Sequence, residues 1–234
     1  GGERRWMWLA LSRVAVCFMT AYGRGQDAAK RLLGLAPAGV VVTDQYSGYR
    51  FIDPAQRQLC WAHVARNVAA IADSSERVNH RIGARLVLLA DLVFRIRHRR
   101  ESGQLSDEHY LRRLRRCRQR WLMQLEQGAL VCSKRYRGRC QLLLKDDDML
   151  WRFMDDEAIA LTNNEAERAL RGYVLWRKGS YGVWSQRGEQ FRQRIMSLVE
   201  TAKRLRRCSQ QWLRAIVRAC IEKTDYPIPV ELCA

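Results

Sequence analysis

Two stretches of this chain carry residue types that could do chemistry together. The first is Val40-Val41-Val42-Thr43-Asp44-Gln45-Tyr46-Ser47-Gly48-Tyr49. Its β-branched run predicts a buried, central strand that delivers an aspartate to a turn. The second is Thr162-Asn163-Asn164-Glu165-Ala166-Glu167-Arg168-Ala169-Leu170-Arg171. There an acidic pair sits in the first turn of a predicted helix, with arginines following. A carboxylate at a strand end and another on a distant helix can hold Mg²⁺ over a phosphate backbone, because Mg²⁺ takes few protein oxygens and keeps open positions for phosphate.

Each stretch also has a purely structural reading. An aspartate before a Gly-containing turn often bonds its own backbone. Asn164 and Glu167 have the spacing of a capping box, with Asn164 as N-cap and Glu167 reaching back. Glu165 would point to another side of the helix, toward solvent, if Ala166, Leu170 and Val174 face the core. Arg168, Arg171, Arg177 and Lys178 follow, interleaved with Trp176, Tyr181 and Trp184. That mixture suits phosphate contacts with stacking on an unpaired base, and equally suits a solvated face.

The elements that must position these residues lie in a strongly basic chain. The 234 residues include 42 Lys and Arg against 24 Asp and Glu, a formal net charge of +18. Such an excess implies a polyanionic partner, and nucleic acid is favoured over an anionic membrane surface. No apolar run approaches the ~20 residues needed to cross a bilayer. At 47% hydrophobic content the chain can bury a core, so disorder is excluded. None of the eight cysteines forms a CxxC pair. They read as reduced thiols. Cys60 and His63 have a zinc-like spacing, but no second pair completes a four-ligand site.

Residues 6–12 and 14–22 predict two adjacent strands, a hairpin turning at Arg13. Asp27 to Leu33 predicts a short helix closed by Gly34. Val40 to Thr43 is the third strand and Gln58 to Trp61 the fourth, which runs into a helix through His63, Val64 and Val68. Ile82, Leu86, Leu89, Val93 and Ile96 fall at helical spacing, as do Leu111, Leu114, Trp121, Leu122 and Leu125. Residues 67–150 therefore predict an Arg-rich insertion of three or four helices, with turns at Gly103 and Gly128. Its arginines at 95–120 could form a solvated face, a DNA-tracking surface or a subunit contact. Beyond the Asn164 helix, Gly179, Gly182 and Gly188 predict a loop. A helix from Glu189 to Lys203 follows, with Phe191, Ile195, Leu198 and Val199 on one face. Trp212 to Val217 gives a last helix, and Pro227 and Pro229 end regular structure.

Taken in order, these motifs resemble the insertion-sequence-66 transposases of bacteria. The resemblance is carried by Thr43 to Tyr49, by Gln58-Leu59-Cys60-Trp61-Ala62-His63 and by Thr162 to Arg171. It extends to Trp176-Arg177-Lys178-Gly179-Ser180-Tyr181-Gly182 and Ser185-Gln186-Arg187-Gly188. It implies an α/β fold of ribonuclease-H-like type, a mixed sheet with a large all-helical insertion and C-terminal helices. On that reading residues 1–66 begin the catalytic core, 67–150 are the insertion, 151–222 complete the core and 223–234 are a tail.

The resemblance further implies a DDE active site in which three carboxylates bind two Mg²⁺ ions. Asp44 matches the second carboxylate and Glu167 the third, both as metal ligands and catalytic residues. Arg168, Arg171, Arg177 and Lys178 become DNA-binding residues. The implied partner is double-stranded DNA, at the element's ends and the target. The implied protein is a homo-oligomer on DNA, in the bacterial cytoplasm with the nucleoid and without membrane contact. The family's first aspartate falls just before the segment matching Gly1 to Trp6, and Glu3 and Asp27 do not match it. The reading is therefore a fragment of a DNA-cleaving and strand-transferring enzyme, with an inactive truncated relic or a regulator of transposition as the alternative.

Overall fold

The computed structural model describes residues 5–180, 183, 185–226 and 232. The fold is mixed α/β and mostly helical. It falls into two compact units, one formed by residues 1–36 with 164–234 and one by 37–163.

In the first unit, β1 (Trp6–Leu11) and β2 (Val16–Ala21) pair antiparallel, Trp6 opposite Ala21 and Leu11 opposite Val16. The predicted hairpin is present. Its turn is wider than Arg13 alone, because Ser12 caps it: the Ser12 Oγ accepts from the Ala15 amide at 3.0 Å. The helix α1 (Gln26–Leu33) ends at Gly34, whose φ of 78° lies in the region glycine tolerates best. The unit continues with α7 (Asn164–Gly179), α8 (Gln186–Arg204) and α9 (Ser209–Glu222). Its core gathers Val16, Phe18, Tyr173 and Met196, with Met7, Leu9, Leu11, Ala169 and Leu170 packed around them.

Two expectations about α8 change. Gly188 lies inside its first turn, where the Ser185 side chain accepts the Gly188 amide as N-cap. The buried face also differs. Phe191 is 61% exposed, whereas Arg192, Met196, Thr201 and Ala202 are buried. The reason is the partner surface. The helix α8 covers the outer edge of β2, whose alternate amides need acceptors. Thr201 Oγ1 accepts from Val16 N–H at 3.0 Å, Ser197 Oγ from Phe18 N–H at 2.9 Å and Gln193 Oε1 from Thr20 N–H at 3.0 Å. These three side chains recur every fourth residue, in step with alternate residues of the strand. Ser197→Ala leaves the Phe18 amide without its acceptor and is expected to cost about 1–3 kcal/mol, read from urea unfolding.

In the second unit, β3 (Val41–Thr43) and β4 (Arg57–Leu59) run parallel, Thr43 opposite Leu59. Among the described residues β3 pairs with β4 alone, and Val41 and Val42 are only half-buried. The fourth strand starts and stops earlier than its apolar run suggests. Trp61 already opens α2 (Trp61–Ala72), because the Val64 amide bonds the Cys60 carbonyl. The helices α3 (Arg77–Glu101), α4 (Asp107–Val131), α5 (Lys134–Lys145) and the single turn α6 (Asp147–Leu150) follow.

The predicted periodicities hold in these helices, since Ile82, Leu86, Val93, Ile96, Leu114, Trp121 and Leu125 are all buried. Gly103, with φ of 74°, ends α3 in the expected turn. Gly128 does not turn the chain. It lies within α4, and a Cβ there would stand 2.6 Å from the Cys140 sulfur. The glycine lets α5 approach α4. Gly83 plays the same part between α3 and α2, with a Cβ position 2.2 Å from the Ala72 nitrogen. At the centre of the unit Trp61 meets Trp121 and Trp151 edge-on, at centroid distances of 5.3 and 5.0 Å.

Candidate active site and nucleic-acid contacts

Asp44 stands where the sequence places it, at the carboxyl end of β3. It also makes the turn that the structural reading expects, since its Oδ1 accepts from the Tyr46 amide at 2.9 Å. Beneath it lies Arg57, only 4% exposed. The Arg57 Nε donates to Thr43 Oγ1 and its Nη2 to the Asp44 carbonyl, both at 2.8 Å. The guanidinium therefore ties the last residue of β3 and the first turn residue to the start of β4. Burial pulls the Arg57 pKa below its ordinary value, and Asp146 and Asp44 act against that fall. Tyr49 borders the same group. Burial, and then the Asp44 charge, push its hydroxyl pKa up to about 12.

A polar chain continues from the turn. Asn67 donates to Gln45 Oε1 at 2.8 Å, Gln45 to Asp146 Oδ2 at 3.4 Å, and Arg139 to the Asn67 carbonyl at 2.9 Å. Arg57, Gln45, Asn67 and Asp146 were not read from the sequence. For Arg57 the available signal was a lone arginine opening an otherwise uncharged strand. Gln45 lies in the turn after β3, Asn67 in α2 and Asp146 in the turn between α5 and α6, and none of them carries a local signature.

Glu167 lies in the first turn of α7, and the helix begins at Asn164. Asn164 is thus the first helical residue, where the capping-box reading would have put it just outside. Ala169, Leu170, Tyr173 and Val174 turn toward the hairpin core. Glu167 is exposed on the flank of that face. Glu165 is exposed, as read, and is also held by Arg204, which donates Nη1 to its Oε1 at 2.5 Å and Nη2 to its Oε2 at 3.3 Å. This paired contact keeps the Glu165 carboxyl below the usual range.

Arg168, Arg171, Arg177 and Lys178 are all exposed. At about 100° per residue, Glu167, Arg171 and Lys178 fall along one flank of α7. Trp176 is not a bare stacking platform. The Arg192 guanidinium lies 5.3 Å from its ring centroid and 5.6 Å from that of Tyr173. Arg192 also donates to Ser180 Oγ at 3.1 Å, so a buried cation sits over both aromatic rings. Tyr181, Gly182 and Trp184 lie outside the described residues, as do Gly1 to Arg4, Pro227 and Pro229.

Asp44 belongs to the unit of residues 37–163 and Glu167 to the other. Among the described residues no group of three or more His, Cys, Asp or Glu is placed to hold a metal ion. The donor chemistry at Asp44 suits Mg²⁺, a hard cation that binds through one or two protein carboxylates and retains water or phosphate oxygens elsewhere. Among the described residues no helix is long and apolar enough to cross a membrane.

These features describe a basic α/β protein with a carboxylate on a braced strand end and another on an arginine-bearing helix. The sequence matches the Transposase IS66 family over residues 1–191, and the chain belongs to that family. It is therefore a transposase-related protein. It is also 28% identical over 236 aligned positions to the uncharacterized protein y4hP of Sinorhizobium fredii (strain NBRC 101917 / NGR234), a match covering 92% of this chain and 42% of that protein. The chain thus spans less than half the length of that relative. No solved structure matches it.

Proposed function

We propose that this chain carries part of the catalytic apparatus of a bacterial DNA transposase with a ribonuclease-H-like core, in which Asp44 and Glu167 are metal ligands. The observation that carries the proposal is the family match across residues 1–191, which contains both acidic motifs in order. The bracing of Asp44 supports it. Arg57 and the Tyr46 amide fix the backbone and one oxygen of this aspartate, which holds a ligand in place before any cation arrives.

Bound Mg²⁺, two ions in the complete site, supplies activation of a water or a DNA 3′-hydroxyl and stabilisation of the leaving oxygen. The protein groups have separate tasks. Asp44 and Glu167 offer carboxylate oxygens. Arg168, Arg171, Arg177 and Lys178 take phosphate oxygens and orient the backbone without reading bases. Double-stranded DNA is the partner, at the element's ends and at the target. A homo-oligomer holding paired ends, working on the nucleoid in the cytoplasm, completes the proposal.

The test is cleavage of a duplex bearing the element's ends by the full-length protein, with Mg²⁺ and with EDTA. Cleavage in Mg²⁺ and its loss in EDTA, with DNA still bound in a gel-shift assay, is the expected result. Cleavage that persists in EDTA overturns the metal assignment.

A further inference from the structure

Eight of the ten arginines at 95–120 fall into two groups. Arg97, Arg100 and Arg118 serve the fold. Arg97 pairs with Glu101 and donates to the Glu157 carbonyl, Arg100 pairs with Glu157 and Asp107, and Arg118 pairs with Asp147 and Asp148. The outer face of α4 is different. Arg112, Arg113, Arg115, Arg116 and Arg120 are all exposed. Arg112 meets Glu108 only at 3.4 Å, in an exposed pair of small consequence. Among the described residues the other four make no ion pair or side-chain hydrogen bond.

We infer that this face of α4 is a binding surface for the phosphate backbone of duplex DNA, separate from the basic residues of α7. The inference rests on the proposed function, because it takes DNA as the substrate. From Arg112 to Arg120 the helix rises about 12 Å. A duplex carries one charge per ~1.7 Å of axis, so that span faces several phosphates. The cations are all arginine, whose planar fork matches phosphate oxygens in pairs. A shallow groove of about 410 Å³ runs beside them, lined by Glu108, Leu111, Arg112, Arg115, Arg116 and Gln119. It gives a sugar-phosphate strand a seat.

The chemistry favours a duplex over other polyanions. None of the five positions alternates with an exposed aromatic ring, so the face lacks the platform that single strands use. Its apolar side is buried in the core through Leu114, Trp121 and Leu125. Between Arg112 and Arg120 no large apolar side chain is exposed, so the arginine-bearing stretch offers nothing to insert into a lipid surface. The rigid backbone of α4, held on its inner side, presents the cations at fixed intervals.

The experiment uses the full chain, a 40-base-pair mixed-sequence DNA duplex and an RNA duplex of the same length, with fluorescence anisotropy read across a NaCl series. The variant is Arg113→Gln, Arg115→Gln, Arg116→Gln and Arg120→Gln together. All four side chains are exposed and Gln is a good helix former, so the fold is retained, as circular dichroism will check. The matched control is Arg77→Gln, Arg81→Gln, Arg135→Gln and Arg137→Gln, which removes equal charge from exposed sites elsewhere in the same unit. The slope of log affinity against log salt is expected to shallow by about 3 in the α4 variant, and by clearly less in the control. The corresponding Arg→Lys set, which keeps the charge, should hold most of the slope and serves if the Gln set misfolds.

Equal losses in variant and control overturn the inference, since charge anywhere would then suffice. An unchanged slope overturns it alone while leaving the proposed function standing. A loss confined to the RNA duplex overturns it in favour of an RNA surface. Failure of the unaltered chain to bind the DNA duplex overturns both this inference and the DNA-binding part of the proposed function.

Discussion

On the proposed function, Asp44→Asn or Glu167→Gln is expected to lower DNA cleavage by a thousand-fold or more, equivalent to ~4 kcal/mol of transition-state stabilisation. Either change removes a negative charge and one strong metal-binding oxygen while keeping the shape of the side chain. The proposed two-metal site would depend on that charge to hold its ions in position on the phosphate. The two substitutions should have different side effects. Asn at position 44 can still accept the Tyr46 amide with its carbonyl oxygen, so the turn and β3 should survive. Gln at position 167 keeps the side-chain shape on an exposed first turn, and the loss of a negative charge near the helix N-terminus should cost about 0.3–1 kcal/mol. DNA binding, read by gel shift, should remain near its original strength in both. Cleavage at the normal rate by either variant would remove that residue from the catalytic site. Glu165→Gln is the informative comparison. Its partner is Arg204, so cleavage should fall far less than with Glu167→Gln.

Trp61→Ala is expected to destabilise the unit of residues 37–163 by about 3–5 kcal/mol, measured by chemical unfolding. Trp61 is fully buried and touches two further tryptophans from α4 and the segment after α6. Its ring nitrogen donates to the Leu150 carbonyl at 2.9 Å. Truncation therefore opens a cavity between helices that cannot close easily, because the surrounding rings are themselves packed on one another. Gln58 also donates to that carbonyl at 2.9 Å, so the oxygen keeps a partner and the loss is mainly packing. A change under 1 kcal/mol would show that the tryptophan cluster is not the centre of this core. Trp61 also opens the helix that follows β4. Its loss should loosen the strand pair that carries Asp44, and cleavage should decline with stability.

The differences between expectation and structure have specific physical causes. The β-branched run at Val40 to Thr43 and the 3.6-residue spacing in α3 and α4 are local signals, and the elements they predict are present. The buried face of α8 departs from its apolar periodicity, which assumes that a helix packs on apolar side chains. This helix packs on a strand edge, so its inward residues are Gln193, Ser197 and Thr201, which read as solvent-facing in a list of polarities. Gly128 reads as a turn because glycine usually breaks helices. Here its missing side chain makes room for Cys140, a residue on another helix.

The candidate site shows the same division. The sequence by itself determined that an aspartate ends a strand, that two glutamates open a basic helix, and that both belong to one family's motifs. These are matters of adjacent residues. Only the tertiary structure decided that Arg57 braces Asp44, through the parallel pairing that sets Val41 opposite Arg57. It alone decided that Arg204 claims Glu165 across 39 residues of sequence, and that Arg192 covers Trp176. It also sorted the arginines into those neutralised by carboxylates and those left facing water. Charge pairing depends on distance in space, and a one-dimensional string carries no measure of that distance.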